Sequence, residues 1–326
     1  MAAMVNFNGD IAINGWFAGD STSGSGQYIN HLLMNLAQMA PEARFSLLLP
    51  TGRSVPPVHD QAAAEWPNID LVRVSVPPLP HNLAKLWWEQ ISVPQAARRL
   101  GTDVLFVPYW AAPYWQPLPT VVTVHDLIPL LLPEYRGGLL QRAYTNLVSR
   151  TARRAAAVIT VSEAASRDVV THLGIPSDRV SAVLHGPNQE GSTPPSAEQL
   201  AAVREKYGLP QRYFLYLGGF DVRKNVKSIL HAYRRYLERG GDPQVRLVIA
   251  GKLPQADSAF FPDPQKIAAE LQLGTSVQFC GWIDEADKPA LYASASAYIF
   301  PSLYEGFGMM IAEAMQAGAP VVTSAR

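Results

Sequence analysis

A pair of glutamates near the end of the chain brackets a glycine-rich turn that could bind a diphosphate. Glu305 precedes the run Gly306-Phe307-Gly308-Met309, and Glu313 follows it, eight positions after Glu305. Glycines at a strand-to-helix junction let backbone N–H groups approach a phosphate, and a helix start adds partial positive charge. At helical rise the carboxylates would stand about 12 Å apart, which suits a sugar and a ribose on either side of a diphosphate. The pattern predicts a sugar-nucleotide site, although glycine turns beside surface glutamates also occur without function.

Two cations form a second candidate group. Arg223 and Lys224 follow the glycine pair Gly218-Gly219 at the end of an apolar run. Cations at a helix start oppose the helix dipole, so an anionic partner is favoured over plain solvent exposure. Together with glycines that keep the backbone low, they predict a clamp for a diphosphate leaving group.

Two segments of the first half could also contact a ligand. One is the glycine-rich run Gly24-Ser25-Gly26, which opens a predicted helix. Its backbone could approach an anion or a sugar closely, and the alternative is a flexible turn. It lacks the G-x-G-x-x-G pattern of nicotinamide-dinucleotide sites, because Ile29 stands where a glycine is needed. His125 ends an apolar run and precedes Asp126, a position better suited to chemistry than to core packing.

The composition limits the class of protein. The 326 residues, 48% hydrophobic and 17% charged, can bury two cores. Acidic and basic residues number 27 each, so no charge excess points to nucleic acid. The one cysteine, Cys280, stands in an apolar strand and is expected to be a buried hydrophobe. No targeting segment or run of about 18 apolar residues is present, so we expect a cytoplasmic location, with peripheral contact at the inner membrane face left open.

Short β-branched runs that alternate with helical patterns predict α/β domains with parallel sheets. The predicted strands cover residues 11–14, 45–49, 71–76, 104–107, 121–125, 158–161, 181–184, 213–217, 247–250, 277–280, 298–300 and 321–323. The predicted helices include 27–39, 83–100, 139–155 and 163–173. A polar, Gly- and Pro-rich break separates domains at 1–188 and 201–326, with a linker at 189–200. We predict two doubly wound, Rossmann-like domains whose loops face a cleft.

Three segments resemble motifs of the retaining glycosyltransferases of family 4, which have the GT-B fold. The spacing of Glu305 and Glu313 is similar to the family's E-x7-E signature, and residues 125–129 (HDLIP) are similar to its HDL-x-P segment. The run from Gly218 to Asn225 resembles the family segment that ends in R-K-N. Many members carry Arg directly after the first glycine of that segment, whereas this chain has Gly219, so Arg223 is the expected substitute.

The resemblance implies a role for each candidate residue. Glu305 would contact the donor sugar, Glu313 the ribose, and the amides of residues 306–309 the diphosphate. His125 would hydrogen-bond the sugar, and Lys224 with Arg223 would stabilise the departing diphosphate. The remaining donor-side residues are Gly24, Ser25, Gly26, Gly218, Gly219 and Trp282, of which Trp282 is either a base-binding aromatic or a rim residue.

The implied reaction is transfer of a hexose from a nucleotide-diphosphate sugar to a glycan or lipid-linked acceptor, with retention of configuration and without a dedicated base. The first domain would be the acceptor side and the second the donor side, and the R-K-N form favours mannose. No D-x-D is present, so neither a metal nor another cofactor is expected. A nucleotide-sugar-binding module without turnover and a GT-B sugar-nucleotide epimerase remain alternatives. Family members continue beyond the strand at 321–323, so we expect a shortened second domain of uncertain activity.

Overall fold

Two separate parallel sheets organise the protein. The computed structural model describes residues 7–20, 23–52, 67–186 and 194–325. Contacts divide the chain into a first unit, Met1–Leu184, and a second unit, His185–Arg326. The predicted boundaries at 188 and 201 stay a prediction, and part of the predicted linker, residues 189–193, lies outside the described residues.

The first unit contains a seven-stranded sheet in the order β3-β2-β1-β4-β5-β6-β7, with every pairing parallel. Its strands are β1 (Asp10–Asn14), β2 (Arg44–Pro50), β3 (Ile69–Val74), β4 (Val104–Val107), β5 (Thr120–Val124), β6 (Ala157–Thr160) and β7 (Val180–Ala182). Side chains alternate between two hydrophobic clusters, with Leu48 in one and its neighbours Leu47 and Leu49 in the other. Both faces of the sheet are therefore buried, which explains why the strands appear in the sequence as continuous apolar runs.

Helices of the first unit cover both faces of this sheet. They are α1 (Gly24–Met39), α2 (His81–Trp87), α3 (Val93–Leu100), α4 (Ile128–Leu131), α5 (Leu139–Ala152) and α6 (Glu163–Asp168). A π-helical segment, Trp88–Ser92, joins α2 to α3, and a second, Val169–Leu173, extends α6. Pro94 follows the first π segment. Because proline has no N–H to donate to the preceding turn, a local change to wider hydrogen bonding accommodates it there.

The second unit contains a five-stranded parallel sheet in the order β10-β9-β8-β11-β12. Its strands are β8 (Arg212–Leu217), β9 (Val245–Ala250), β10 (Val277–Gly281), β11 (Ala297–Phe300) and β12 (Val321–Thr323). Its helices are α7 (Ala197–Tyr207), α8 (Val226–Glu238), α9 (Pro264–Glu270), α10 (Lys288–Ala293) and α11 (Met309–Gln316). Strands β8 and β11 are neighbours, although 79 residues lie between the end of β8 at Leu217 and the start of β11 at Ala297. Because the two strands are parallel, the loops after them lie at the same edge of the sheet.

The predicted α/β class and the doubly wound parallel sheets are confirmed, and most predicted strands differ from the observed ones by two residues or fewer. Several details differ, including the bounds of the helices predicted at 83–100 and 139–155. Helix α1 begins at Gly24 rather than Gln27 because Ser23 caps it through the amide of Gly26. Helix α7 includes the last four residues of the predicted linker, with a capping box between Ser196 and Gln199. Cys280 is only half-buried, contrary to the expectation of a core position.

Candidate functional site

The loop after β8 is tied to the loop after β11. The amide of Leu303 donates to the carbonyl of Arg223 at 2.8 Å, and the hydroxyl oxygen of Ser302 lies 3.1 Å from the same carbonyl. The side-chain amide of Asn225 donates to the carbonyl of Pro301 at 3.2 Å. Asn225 has φ of 56°, a left-handed conformation that asparagine tolerates better than most residues. These bonds hold the two predicted motifs side by side.

The predicted cations and the first glutamate form one ionic cluster. Oε1 of Glu305 lies 2.7 Å from the ammonium of Lys224 and 2.6 Å from the guanidinium of Arg223. Ser302 donates its hydroxyl to the same oxygen at 2.6 Å, and Asp221 lies 3.5 Å from Nε of Arg223. The four charged side chains are between 12% and 21% exposed, so this cluster is mostly removed from water.

Burial and charge act in opposite directions on the cluster. Burial alone would raise the pKa of Glu305, but Lys224 and Arg223 outweigh it, and the pKa lies below its usual value. Burial lowers the pKa of Lys224, and Glu305 opposes that change. The carboxylate is therefore ionised at neutral pH, and the two cations lie where a polyanionic ligand could compete with it for their charge.

An aromatic floor supports the cations and the glycine pair. The ammonium of Lys224 lies 4.8 Å above the ring of Phe300, and the ring of Tyr216 stacks on Phe300 at 6.3 Å. The hydroxyl of Tyr216 donates to the carbonyl of Gly219. A Cβ on Gly218 would lie 2.9 Å from that hydroxyl, so a glycine is needed for this close approach.

The turn between the two glutamates leads into α11. Gly308 has φ of 90° and is the N-cap of the helix, and its carbonyl accepts from the amide of Ile311 at 2.8 Å. Phe307 packs edge-on against His185, with ring centroids 5.3 Å apart. The first amides of a helix have no partner within the helix, so the start of α11 at Met309 offers donors for an anion.

Two further donor-side candidates, Glu313 and Trp282, also belong to the second unit. Glu313 is on α11, half-buried, and accepts from the hydroxyl of Tyr292 at 3.3 Å. Trp282 follows β10 and is 65% exposed, which leaves its role as a base-binding or rim aromatic open. The second unit thus brings together Glu305, Arg223 and Lys224 directly, with Glu313 on the helix that follows.

His125 lies directly after β5, at the carboxyl edge of the first sheet. Its Nε2 is 3.1 Å from the carbonyl of Pro108, and its ring meets Tyr28 edge-on at 4.8 Å. Burial lowers the pKa of His125, more than its contacts with Pro108 and Asp126 raise it, so the imidazole is neutral at pH 7. Asp126 accepts from the amide of Ile128 at 3.0 Å and thereby orders the loop.

The glycine loop of the first half is part of a helix rather than a flexible turn. Gly24, Ser25 and Gly26 form the first turn of α1, and the amide of Gly26 donates to the hydroxyl of Ser23 at 3.1 Å. A Cβ on Gly26 would lie 1.8 Å from the carbonyl oxygen of Asp20, so no larger residue fits there. Tyr28, from the same helix, brings this turn next to His125.

Sequence reasoning missed a buried charged cluster at the same edge of the first sheet. Glu89 is 0% exposed, is paired with Lys85, and accepts from the hydroxyl of Tyr144 at 3.0 and 3.1 Å. Tyr109, after β4, accepts from the side-chain amide of Asn14 at the end of β1 at 2.9 Å and also bonds Glu89. Trp88, the residue before Glu89, is a buried core residue. The signal that could have found the cluster is the i, i+4 spacing of Lys85 and Glu89 beside an apolar stripe.

Neither a metal site nor a membrane span appears in the described ranges. Among these residues, no three or more His, Cys, Asp and Glu side chains are grouped so that they could hold a metal ion. None of the helices described here is long and apolar enough to cross a bilayer.

Two family models match the chain. Residues 22–190 match "Glycosyltransferase Family 4", and residues 201–326 match "Glycosyl transferases group 1". The chain is 32% identical over 218 residues to the serotype-specific mannosyltransferase WbdA of Escherichia coli, covering 64% of this chain and 25% of that protein. It is 30% identical over 205 residues to the O-antigen chain mannosyltransferase B of the same organism, covering 63% and 52%. The chain therefore spans about half the length of these curated relatives or less.

Solved structures share the fold. The Thermosynechococcus elongatus sucrose-phosphate synthase matches with a TM-score of 0.66 at 18% identity, over 97% of this chain and 81% of that one. The structure of Anabaena Alr3699/HepE in complex with UDP and glucose matches with a TM-score of 0.62 at 18% identity, over 97% and 80%. The match to these structures, together with the two parallel sheets of this chain, confirms the predicted two-domain, Rossmann-like GT-B fold class.

Proposed function

The chain belongs to glycosyltransferase family 4, and from that premise we propose that it transfers a hexose from a nucleotide-diphosphate sugar to a glycan or lipid-linked acceptor, with retention of configuration. The observation that carries the proposal is the meeting of Arg223, Lys224 and Glu305 beside a glycine turn that opens a helix. Cations and helix-start amides at the carboxyl edge of a parallel sheet are the groups that a sugar diphosphate requires.

The proposed chemistry follows from where charge develops. Breaking the bond between the anomeric carbon and the diphosphate places negative charge on phosphate and positive charge on the sugar ring. Lys224, Arg223 and the amides at the start of α11 would stabilise the leaving diphosphate. Glu305 would hold the sugar hydroxyls once the diphosphate has taken over the two cations. His125, neutral at pH 7, is a further proposed hydrogen-bond partner of the sugar.

Retention is proposed to proceed by front-face displacement. In that step the acceptor hydroxyl attacks the anomeric carbon from the side on which the diphosphate departs, and the departing phosphate oxygen takes the hydroxyl proton. The C–O bond to the acceptor forms as the C–O bond to phosphate breaks, so charge and protons balance without a separate base. The cations of the cluster would then contribute most of the transition-state stabilisation, because they lower the energy of the leaving group.

Mannose is the proposed sugar. The relatives named mannosyltransferase support it, since both match this chain at 30% identity or more. Glucose and UDP occur together in the structure of Alr3699/HepE, a protein that shares the fold with this chain. UDP-glucose is therefore the second donor to test, after GDP-mannose.

The experiment combines binding and turnover. Thermal shift with GDP, UDP and ADP sugars identifies the nucleotide, and mass spectrometry of donor and oligosaccharide acceptor follows the products. Lys224→Met should abolish the shift, whereas Lys266→Met, which breaks an exposed ion pair with Asp257 in the same unit, should leave it unchanged. Stabilisation by a nucleotide without product would indicate a binding module, and donor conversion without acceptor would indicate an epimerase. The absence of any nucleotide shift would overturn the proposal.

A further inference from the structure

A buried tyrosine contacts the second glutamate of the candidate site. The hydroxyl of Tyr292, on α10, donates to Oε2 of Glu313, on α11, at 3.3 Å. Tyr292 is 1% exposed, while Glu313 is only half-buried. The fixed partner in this contact is therefore the tyrosine, and the movable one is the glutamate.

The ring of Tyr292 is held by an aromatic stack that continues under the cation cluster. Tyr292 meets Tyr298 edge-on at 5.1 Å, and Tyr298 stacks on Phe300 at 5.8 Å. Phe300 in turn lies under the ammonium of Lys224 at 4.8 Å. One packed series of rings thus supports Glu313 at one end and Lys224 at the other. Because buried aromatic rings pack densely and have few rotamers, this series is a rigid support for both groups.

The hydroxyl of Tyr292 remains a donor over the whole working range of pH. Burial, and then the charge of Glu313, raise the pKa of Tyr292 far above its usual value. A protonated phenol next to a carboxylate restricts the rotamers of that side chain. The entropy cost of fixing the carboxylate is then already met before the ligand binds.

We propose that Tyr292 is a positioning residue that holds the carboxylate of Glu313 ready for the ribose hydroxyls of the donor nucleotide. This inference rests on the proposed function and adds a second residue to the ribose end of the site. Tyr292 does not touch the nucleotide; it acts through Glu313. Its hydroxyl should therefore matter for nucleotide affinity and little for the transfer step itself.

The test compares two isosteric variants. Tyr292→Phe removes the hydroxyl that contacts Glu313 and keeps the ring. Tyr213→Phe is the matched control, because Tyr213 is 0% exposed and its hydroxyl donates at 2.8 Å to the backbone carbonyl of Leu291, the residue next to Tyr292. Both variants lose one buried hydroxyl in the same unit, and the melting temperature of each reports the common structural cost.

The readout is the Kd for the nucleoside diphosphate that stabilises the wild type, and for its 2′,3′-dideoxy counterpart. Tyr292→Phe should raise the Kd of the ribonucleotide about fivefold, as expected for one hydrogen bond, and Tyr213→Phe should leave it unchanged. The dideoxy nucleotide should bind both variants like the wild type, because it offers Glu313 no hydroxyl. In turnover, KM for the donor should rise with kcat nearly constant.

Two results would overturn the inference while leaving the proposed function intact. One is a ribonucleotide Kd for Tyr292→Phe equal to that of Tyr213→Phe. The other is an equal loss of affinity for the ribo and dideoxy ligands, which would indicate a general distortion of the site. A wild type that binds no nucleotide overturns the proposed function, and this inference with it.

Discussion

The ammonium of Lys224 and a carboxylate oxygen of Glu305 lie 2.7 Å apart, although 81 positions separate the two residues in the chain. The two loops that carry them follow neighbouring strands of one parallel sheet, so the fold itself produces the pairing. The consequence is a site whose cations are already neutralised before a ligand arrives. In the proposed function, a bound diphosphate would replace the carboxylate of Glu305 as the partner of the cations, and that carboxylate would then be available to the sugar.

The first prediction concerns Glu305→Gln. Loss of the carboxylate leaves Arg223 and Lys224 mostly buried without their shared partner, which should cost about 3 kcal/mol of the free energy of unfolding. The cations are then free for phosphate, so nucleoside diphosphate should bind at least as tightly as to the wild type. Sugar transfer should fall about 100-fold, because the charged partner of the sugar hydroxyls is lost. Calorimetry measures the unfolding free energy and the nucleotide affinity, and donor turnover measures the rate of transfer.

The control for this change is Glu238→Gln, which removes one partner of an exposed ion pair with Arg234 in the same unit. It should alter neither nucleotide affinity nor transfer, and inorganic pyrophosphate should raise the melting temperature of Glu305→Gln more than that of this control. If the Kd of the nucleotide rises in Glu305→Gln as much as transfer falls, the assignment of Glu305 to the sugar is wrong.

The second prediction distinguishes two adjacent glycines. In Gly218→Ala the new Cβ would lie 2.9 Å from the hydroxyl of the buried Tyr216, which cannot move freely because it donates to the carbonyl of Gly219. In Gly219→Ala the nearest atom is Oδ2 of Asp221 at 3.4 Å, an ordinary contact. Gly218→Ala should therefore lose about 1–3 kcal/mol of unfolding free energy, and Gly219→Ala less than about 0.5 kcal/mol. Urea unfolding measures both, and equal losses would contradict the close approach at Gly218.

The third prediction concerns the pH dependence that His125 contributes. Burial lowers the pKa of His125 in the folded state below the unfolded value of about 6.5. Between these two pKa values the unfolded chain binds more protons than the folded chain. The contribution of His125 to the free energy of unfolding is therefore complete above about pH 6.5 and is lost as the pH falls toward the folded pKa. His125→Gln should remove that slope, and transfer should fall at least tenfold through loss of the proposed sugar contact.

Chemical unfolding between pH 5 and pH 8 measures this slope. The exposed His172 supplies the control, and His172→Gln should leave both the slope and the transfer rate as in the wild type. A slope that persists in His125→Gln would show that another group causes the pH dependence.

Much of the fold could be predicted because strands buried on both faces are visible as apolar runs. The strand at 104–107 was predicted with its observed bounds, whereas the order of the strands in each sheet was not predicted. The start of α1 was predicted three residues too late because glycine has a low helix propensity. In the structure, the N-cap Ser23 and the close approach of Asp20 to Gly26 favour a helix that begins at Gly24.

The candidate site was predictable in its members but not in its contacts. Glycines and cations next to strand ends indicate an anion site, and Glu305, Lys224 and Arg223 could be chosen on that basis. That Lys224 and Arg223 share one carboxylate oxygen of Glu305 depends on side-chain packing over 81 positions, for which the spacing of residues carries no signal. The contact of Tyr292 with Glu313 was missed for the same reason, since Tyr292 appears in the sequence as an ordinary core residue of a short helix.

The fourth prediction concerns the buried pair Lys85 and Glu89, one helical turn apart. Burial raises the pKa of Glu89, and Lys85 with Tyr144 partly offsets this. Lys85→Met leaves a fully buried carboxylate without its cation, which should cost about 3 kcal/mol at pH 7. The double variant Lys85→Met with Glu89→Gln removes both charges and should regain most of that loss. Denaturant unfolding of the two single variants, the double variant and the wild type forms a complete double-mutant cycle.

The pH dependence of Lys85→Met separates a charge effect from a packing effect. An unpaired buried Glu89 has a folded pKa well above the unfolded value of about 4.3, so the folded state binds more protons between the two values. Stability of this variant should therefore rise as the pH falls from 7 toward 5, opposite to the effect of His125. The control is Arg234→Met, which breaks the exposed i, i+4 pair with Glu238 and should cost less than about 0.5 kcal/mol at either pH. A loss in Lys85→Met that is independent of pH would mean that the lysine stabilises the first unit by packing against its three aromatic neighbours, Phe17, Tyr109 and Tyr144, rather than by its charge.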